Sequence, residues 1–462
     1  MSQNDKARTR KFLQLMFQDY YRTHHDTVDI PTKVQNREFG MELWQFTWRC
    51  IERNERTNGS EKKIGCGKSG ISYTRISRCP NCGAKGIQIN NWSRHLGFRS
   101  KDLLLNELVK TVPHSIYHSA AFYEVPVARN MMEKGWKGAE LVFDIDADHL
   151  DSPCAYEHDS WLCENPECQS IGKGPAPEEC PECKHTSFRT LKWLCDKCLE
   201  DAKKTTSQLY DQFLLGSFGF DENEIQLNYS GHRGYHIRVN ASKILQADSS
   251  ARVEIAHFIT GMGMNNTIKV DGTLRVVPSG DLGNWQIPSL SRRIADAMID
   301  FIKRIDTYDD TDRWVEPLSE NKNAAIVGLS NEPPILSHKV KGVGPKSWQI
   351  IADKALQNYG AEIDLPVTHD IHRVIRLIGS LNGKTGFAVE EITRSELDEF
   401  DPFTDSLVFS DEELRIKFAE RPIQVPEIRI ADQTYGPFNN ENVEVPSPVG
   451  IFLLCKGMAV IE

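Results

Sequence analysis

The sequence predicts an α/β chain of the α+β kind: a strand-built core, a metal-binding knob and a helical insertion subdomain. Three observations predict it. The apolar run Leu141, Val142, Phe143 leads into Asp144, Asp146 and Asp148, which reads as a strand ending in carboxylates of period two. Directly after it, Cys154, His158, Cys163, Cys168, Cys180, Cys183, Cys195 and Cys198 crowd into one stretch. Further on, Ile294, Ala297, Met298, Phe301 and Ile305 recur at helical spacing.

The chain has 462 residues, 39% hydrophobic and 26% charged, which allows a sizeable core and argues against global disorder. A net charge of −10 excludes a wholly basic nucleic-acid coat but leaves room for a local basic cleft. The 12 cysteines fall mostly in short pairs, a pattern of zinc sites more than of disulfides. No apolar signal core follows Met1, and the longest apolar run, 449–461, is short and contains Lys456. The expectation is an intracellular, cytoplasmic protein with no membrane contact.

In order along the chain, residues 8–24 carry Phe12, Leu13, Met16, Phe17, Tyr20 and Tyr21 as an amphipathic helix. Arg37, in Arg37-Glu38-Phe39-Gly40, reads on its own as a surface charge. Residues 41–100 read as an irregular, cysteine-bearing insertion. There the Cys79-Pro80-Asn81-Cys82-Gly83 knuckle has zinc-ribbon form, and Cys50 and Cys66 are either its partner ligands or ordinary buried thiols. Residues 101–112 suit a helix, 115–124 a strand and its flank, and 135–139 a turn feeding the carboxylate strand.

In that strand, alternate residues share a face, so Asp144 and Asp146 project side by side. Two close carboxylates repel, and a divalent cation removes the penalty. The plainer alternative is a strand end running into a solvated turn.

Residues 154–198 offer eight soft or borderline ligands, enough for two closed tetrahedral zinc sites of structural type. Trp161-Leu162-Cys163 and Trp193-Leu194-Cys195 bracket the middle like one ribbon inserted into another. Cys154, His158, Cys195 and Cys198 are therefore assigned to an outer site, and Cys163, Cys168, Cys180 and Cys183 to an inner one.

Residues 202–215 read as helical and 224–229 as a strand. In the following Ser230-Gly231-His232-Arg233-Gly234-Tyr235-His236, two glycines permit a tight turn while Ser230, Arg233 and His236 point donors at an anion. A hairpin turn with solvated polar groups is the alternative. Residues 241–350 read as the helical insertion subdomain, with a further short helix over 346–358. Asp364, before Pro366, reads as an acid at a strand end. Arg373 and Arg376 share a face if their segment is helical, and 382–386 is a glycine-framed basic turn without the P-loop spacing. The proline-rich tail reads as short strands and turns.

Taken together, these stretches resemble the catalytic small subunit of the archaeal and eukaryotic DNA primase, and the archaeal form in detail. The resemblance rests on Arg37-Glu38-Phe39-Gly40, Leu141-Val142-Phe143-Asp144-Ile145-Asp146, Ser230 to His236, Ile375-Arg376-Leu377-Ile378-Gly379-Ser380-Leu381-Asn382-Gly383-Lys384-Thr385-Gly386 and Phe400-Asp401-Pro402-Phe403, in the family's order. It implies a mixed-sheet catalytic core with a zinc knob beside the active site. By that resemblance Asp144, Asp146 and Asp364 bind two Mg²⁺ or Mn²⁺ ions. Ser230, Arg233 and His236 hold the incoming triphosphate, and Arg37, Arg373, Arg376, Asn382 and Lys384 contact nucleotide. Asn382 stands where relatives often have His, and His232 where some have a second Arg.

The resemblance further implies a nucleotidyltransferase that starts RNA, and in some relatives DNA, primers de novo on single-stranded DNA template. It implies nucleoside triphosphates as substrates, one to three structural zinc ions, a large primase subunit as partner and a place in the replication machinery. The implied layout is core in 1–150, 201–240 and 351–462, knob in 151–200 and helical subdomain in 241–350, with Cys50, Cys66, Cys79 and Cys82 as a candidate third zinc set. Two rivals are a repair or plasmid-type primase-polymerase of the same superfamily and a non-catalytic zinc protein that binds nucleic acid.

Overall fold

The computed structural model describes residues 2–57, 60–150, 152–261, 288–308, 312–336, 340–418 and 424–462. Parts of the expected 41–100 and 241–350 segments, and Pro422 of the tail, lie outside the described residues. The chain divides into two units. The first comprises residues 1–210, 214–247 and 370–462, and the second 211–213 and 248–369.

The two largest sheets of the first unit carry the site. In one, the strands run Val374–Arg376, Ser115–Ser119, Phe39–Cys50, Ser69–Ser72, with Ile87–Leu96 also paired to Phe39–Cys50. In the other, the order is Glu391–Ile392, Ile225–Tyr229, Gly234–Val239, Leu141–Asp146. The class is α+β as expected. Every strand pairing among the described residues is antiparallel, where the resemblance implied a mixed sheet. The strand Leu141–Asp146 shows why its sequence is apolar for three residues and then alternates. Leu141, Phe143 and Ile145 are buried on one face, while on the other buried Val142 is followed by half-buried Asp144 and Asp146.

The first helix, Gln3–Thr23, starts at a capping box between Ser2 and Asp5 and buries Leu13, Phe17, Tyr20 and Tyr21. Phe17 meets the buried Trp44 edge-on, with ring centroids 4.9 Å apart. The apolar run near the end of the chain is a buried helix, Ser447–Cys455, so the tail is not only strands and turns. No helix among the described residues is long and apolar enough to cross a membrane.

Three sequence expectations change. Residues 41–100 are not irregular, since they carry the twelve-residue strand Phe39–Cys50 and four further strands. Residues 136–139 are a strand paired to Ala121–Tyr123 and not a turn. The segment holding Arg373 and Arg376 is an edge strand and not a helix, because Val374 and Ile375 are spent on pairing with Ser119 and His118.

The second unit is helical: Ser249–Thr260, Pro288–Lys303, Val315–Glu320, Lys322–Leu329, Pro345–Tyr359 and Leu365–His369. Ile294, Met298 and Phe301 share one core with Trp314, Trp348 and Ile351, as the helical spacing requires. Burial of these large apolar groups, at roughly 1.5–3 kcal/mol each, is what holds such a bundle together.

Candidate active site

The carboxylate strand pairs with Gly234–Val239 so that Asp144 lies opposite His236 and Asp146 opposite Gly234. That register requires glycine at 234, because a Cβ there would fall inside the Ile145 carbonyl oxygen. The turn at 230–233 joins two strands of the same sheet and is docked on the turn at 382–386. Asn382 Nδ2 donates to Ser230 O at 3.0 Å, and Thr385 Oγ1 donates to Gly231 O. Gly231 adopts a φ of +72°, and a Cβ on it would meet Asn382 Cβ at 2.9 Å, so this docking also depends on glycine.

Around the two carboxylates stand donors and cations. His236 Nε2 lies 3.6 Å from Asp144 Oδ1. Burial, helped by the charges of Arg376 and Arg238, pushes His236 down to about 3, so its ring is neutral. Asn228 Nδ2 faces its Nδ1 at 3.4 Å, which assigns the ring hydrogen to Nε2, toward Asp144. Arg233 Nε lies 3.7 Å from Asp146 Oδ1 and is buried without a hydrogen-bond partner. Such an orphaned donor, aimed along a carboxylate pair, is a ready contact for an anion. Among the described residues, Ser230 Oγ accepts from His232 N at 3.3 Å and has no acceptor for its own proton.

The third acid of the period-two series behaves differently. Asp148 is past the strand end, in a turn capped by Asp146 Oδ1, which accepts from Asp148 N at 3.0 Å. Its carboxylate pairs with Arg233 and with Lys192, the latter at 3.1 Å. The plainer reading, a strand running into a turn, therefore fits Asp148, and the paired-carboxylate reading fits Asp144 and Asp146.

Two residues assigned to nucleotide contact have other work. Arg37 is neither a surface charge nor open to a ligand. It is fully buried, with Glu140 held at 2.7 Å and the carbonyls of Thr32 and Ser119 at 3.0 and 2.8 Å. Glu140 directly precedes the carboxylate strand and also faces Arg238 at 3.4 Å, so this buried network fixes where the strand starts. Asn382 is fully buried too. Its amide donates to Ser230 O, and its oxygen accepts from Lys384 N at 3.0 Å, so it shapes the turn. Arg376 and Arg373 stay half-buried and Lys384 exposed. The charge of Arg376 bears on His236, Lys384 and Glu42. Asp364 belongs to the second unit. It begins the helix Leu365–His369, where its carboxylate accepts from Val367 N at 3.4 Å, so it stands at a helix start and not at a strand end.

Sequence reading missed one cation. Lys456 places Nζ 3.2 Å from His232 Nε2. Burial, with the charges of Arg233 and Lys384, pushes it down to about 7. Its signal was a single lysine interrupting the apolar run 449–461. A cleft of about 490 Å³ adjoins the site, lined among others by Asp148, His149, Lys192, Trp193 and Arg233.

All twelve cysteines are free thiols, and eleven of them, with His158, converge in three sets. Cys154, His158, Cys195 and Cys198 form one, Cys163, Cys168, Cys180 and Cys183 a second, and Cys50, Cys66, Cys79 and Cys82 a third. Within each set the ligand atoms lie within 4.8 Å of one another. Sulfur pairs at 3.6–3.8 Å recur in all three. A tetrahedron of Zn–S bonds near 2.3 Å has an edge of roughly 3.8 Å, so the sets fit zinc. Their electrostatics agree. Cys198 pulls its neighbour Cys195 down to about 4 and is itself driven up, and burial pushes Cys163 up to about 12. Four such groups cannot ionise together without a cation. In the outer set Asp159 Oδ1 holds His158 Nδ1 at 2.8 Å and also accepts from Trp193 N at 2.8 Å, orienting Nε2 toward the thiols.

Comparison with known proteins places this geometry in context. A family model described as DNA primase small subunit matches residues 184–394. A protein of Methanothrix thermoacetophila named DNA primase small subunit PriS is 31% identical over 399 residues, covering 80% of this chain and 89% of its own length. Proteins of the same name from Methanosarcina acetivorans and Nitrosopumilus maritimus are 28% and 26% identical and are each matched across 98% of this chain, with 96% and 98% of their own lengths covered.

Proposed function

Because the chain belongs to the archaeal-type family of DNA primase small subunits, and is thus a catalytic primase subunit with nucleotidyltransferase activity, we propose that Asp144 and Asp146 form its reaction centre. In this reading the enzyme is a DNA-directed RNA polymerase that starts primers de novo on single-stranded DNA, from nucleoside triphosphates. The observation that carries it is the pair of half-buried carboxylates on one strand face, with His236 opposite and Arg233 beside them.

Hard carboxylate oxygens suit Mg²⁺ or Mn²⁺, as the thiolate sets suit zinc. Bound there, the two ions supply charge neutralisation for the triphosphate and a lowered pKa for the attacking 3′-hydroxyl. Asp144 and Asp146 would hold them and act neither as acid nor as base.

The chain's own donors do the rest. Arg233 Nε, Ser230 Oγ and the neutral His236 ring bind phosphate oxygens. Arg376, Arg373, Lys384 and Lys456 offset the charge that builds on the leaving pyrophosphate. Arg37 and Asn382 act through other groups, the first on the position of the carboxylate strand and the second on the triphosphate turn. Asp364 is a third carboxylate needed for activity. The names of the relatives support a large-subunit partner and work within the replication machinery. Their near full-length match disfavours a non-catalytic zinc protein.

The test is primer synthesis on an unprimed single-stranded template with Mg²⁺ or Mn²⁺. Asp144→Ala, Asp146→Ala and Asp364→Ala should each abolish product while the variant stays folded. Wild-type primer yield from a folded Asp146→Ala protein would overturn the assignment.

A further inference from the structure

On the sheet that holds Arg376, an exposed strip leads away from that arginine through residues the chemistry above does not use. Arg376 lies over the ring of Tyr117, with its guanidinium carbon 4.9 Å from the centroid. Tyr117 in turn faces the ring of Trp92, with centroids 5.2 Å apart and planes tilted by 35°. Trp92 is 38% exposed, unusual for the largest apolar side chain, although neighbouring strands could have covered it.

The strip is built, not incidental. Arg376 pairs with Tyr117 across one strand boundary, and Tyr117 with Gly40 across the next. Gly40 puts no side chain between the two rings, and a Cβ there would touch Trp92 at 3.5 Å. Asn90 fixes the backbone of Trp92 at both ends, donating to its carbonyl at 2.8 Å and accepting from its N–H at 3.0 Å. Beyond Trp92, Arg94 is anchored by the buried Glu38 at 3.1 Å with its side chain still 45% exposed. The order across the face is thus guanidinium, indole, phenol, guanidinium, ending at the residue whose charge bears on His236.

We infer that Trp92 and Tyr117 form a stacking platform for the unpaired bases of the single-stranded template, with Arg94 taking its phosphates and Arg376 closing the strip at the triphosphate end. The inference rests on the polymerase reading above and deepens it. Base faces on aromatic rings, tracked by cations, are how proteins hold single strands without reading sequence, which a template must allow. On a chain of net charge −10, a strip that begins and ends on an arginine offers a polyanion local positive charge.

The experiment is binding of a labelled oligodeoxynucleotide to the full chain, followed by fluorescence anisotropy across a salt series. Trp92→Ala should weaken binding about ten-fold, within the range of one lost stack, and Trp92→Phe by no more than about three-fold. The salt slope should stay unchanged, because no phosphate contact is removed. Abasic positions in the oligonucleotide should weaken the wild type and leave Trp92→Ala indifferent. Equal affinity of Trp92→Ala and wild type, or equal sensitivity of both to abasic sites, overturns the platform. So does a loss confined to binding of a protein subunit. Asp146→Ala separates the two readings. It should keep wild-type oligonucleotide affinity while losing synthesis, and synthesis by that variant refutes the reaction centre without touching the platform.

Discussion

The outer thiolate set and the carboxylate pair are close in sequence and opposite in design. Cys154, His158, Cys195 and Cys198 point four soft ligands at one point, two of them buried, and Asp159 locks the imidazole. Nothing in that set leaves a position open. Asp144 and Asp146 offer hard oxygens near the end of a strand, half-buried, with Arg233 and His236 of the neighbouring hairpin beside them. The closed set suits holding the fold, whereas the carboxylate pair stays partly open to solvent. Closure and exposure, together with ligand chemistry, distinguish the two sites.

The largest break in this comparison comes from zinc. Metal analysis of purified protein should find about three zinc ions per chain, one for each set. Stripping them with a chelator at moderate denaturant should unfold the ribbons, since structural zinc sites carry on the order of 10 kcal/mol of folding free energy. The fluorescence of buried Trp161 and Trp193 reports that loss. Removing Mg²⁺ or Mn²⁺ should instead abolish activity reversibly and leave the melting curve in place.

Next is Asp146→Ala. It should cut primer synthesis by at least about 10³-fold, the scale of a lost electrostatic element of the transition state, and leave the melting temperature within a few degrees. A large fall in stability would blur the distinction between the two kinds of site.

Arg37→Ala should cost roughly 3–5 kcal/mol in denaturant unfolding, because it leaves Glu140 charged and buried without its main partner. The same pair sets a pH dependence. Burial raises Glu140, but Arg37 and Arg238 outweigh it and hold the carboxyl below its ordinary value of 4.5. A depressed acid stabilises the fold above its unfolded pKa, and that contribution is lost as pH falls through the folded value. Stability of the wild type should therefore drop below about pH 4.5 more steeply than that of Arg37→Ala, measured by thermal melts across pH.

The smallest effect is Asn382→Ala, which leaves Ser230 O without its donor and should cost about 1–3 kcal/mol. Because the Ser230 turn loosens, the KM for nucleoside triphosphate should rise more than kcat falls, read from steady-state synthesis.

Much of this was legible beforehand, for local reasons. The long first helix, the 225–239 hairpin and the carboxylate strand all declare themselves by periodicity and glycine placement. The nested Trp-Leu-Cys phrases at Trp161 and Trp193, with the cysteine spacing, separate the inner set from the outer. Position alone did not reveal what Arg37 and Asn382 do. Both types donate to phosphates on surfaces, and only burial shows that their donors are already taken.

What the amino-acid order determined by itself was the chemistry on offer: paired acids, thiolate sets and a glycine-shaped basic turn, because each depends on neighbours within a strand, a knuckle or a hairpin. Tertiary structure decided which groups are free to use it. It turned Asp148 to Arg233 and Lys192, sank Arg37 beneath Glu140, and brought Lys456 from the far end of the chain to His232. Those choices rest on contacts between residues distant in sequence, and desolvation and charge pairing there are set by what packs alongside, which no local pattern encodes.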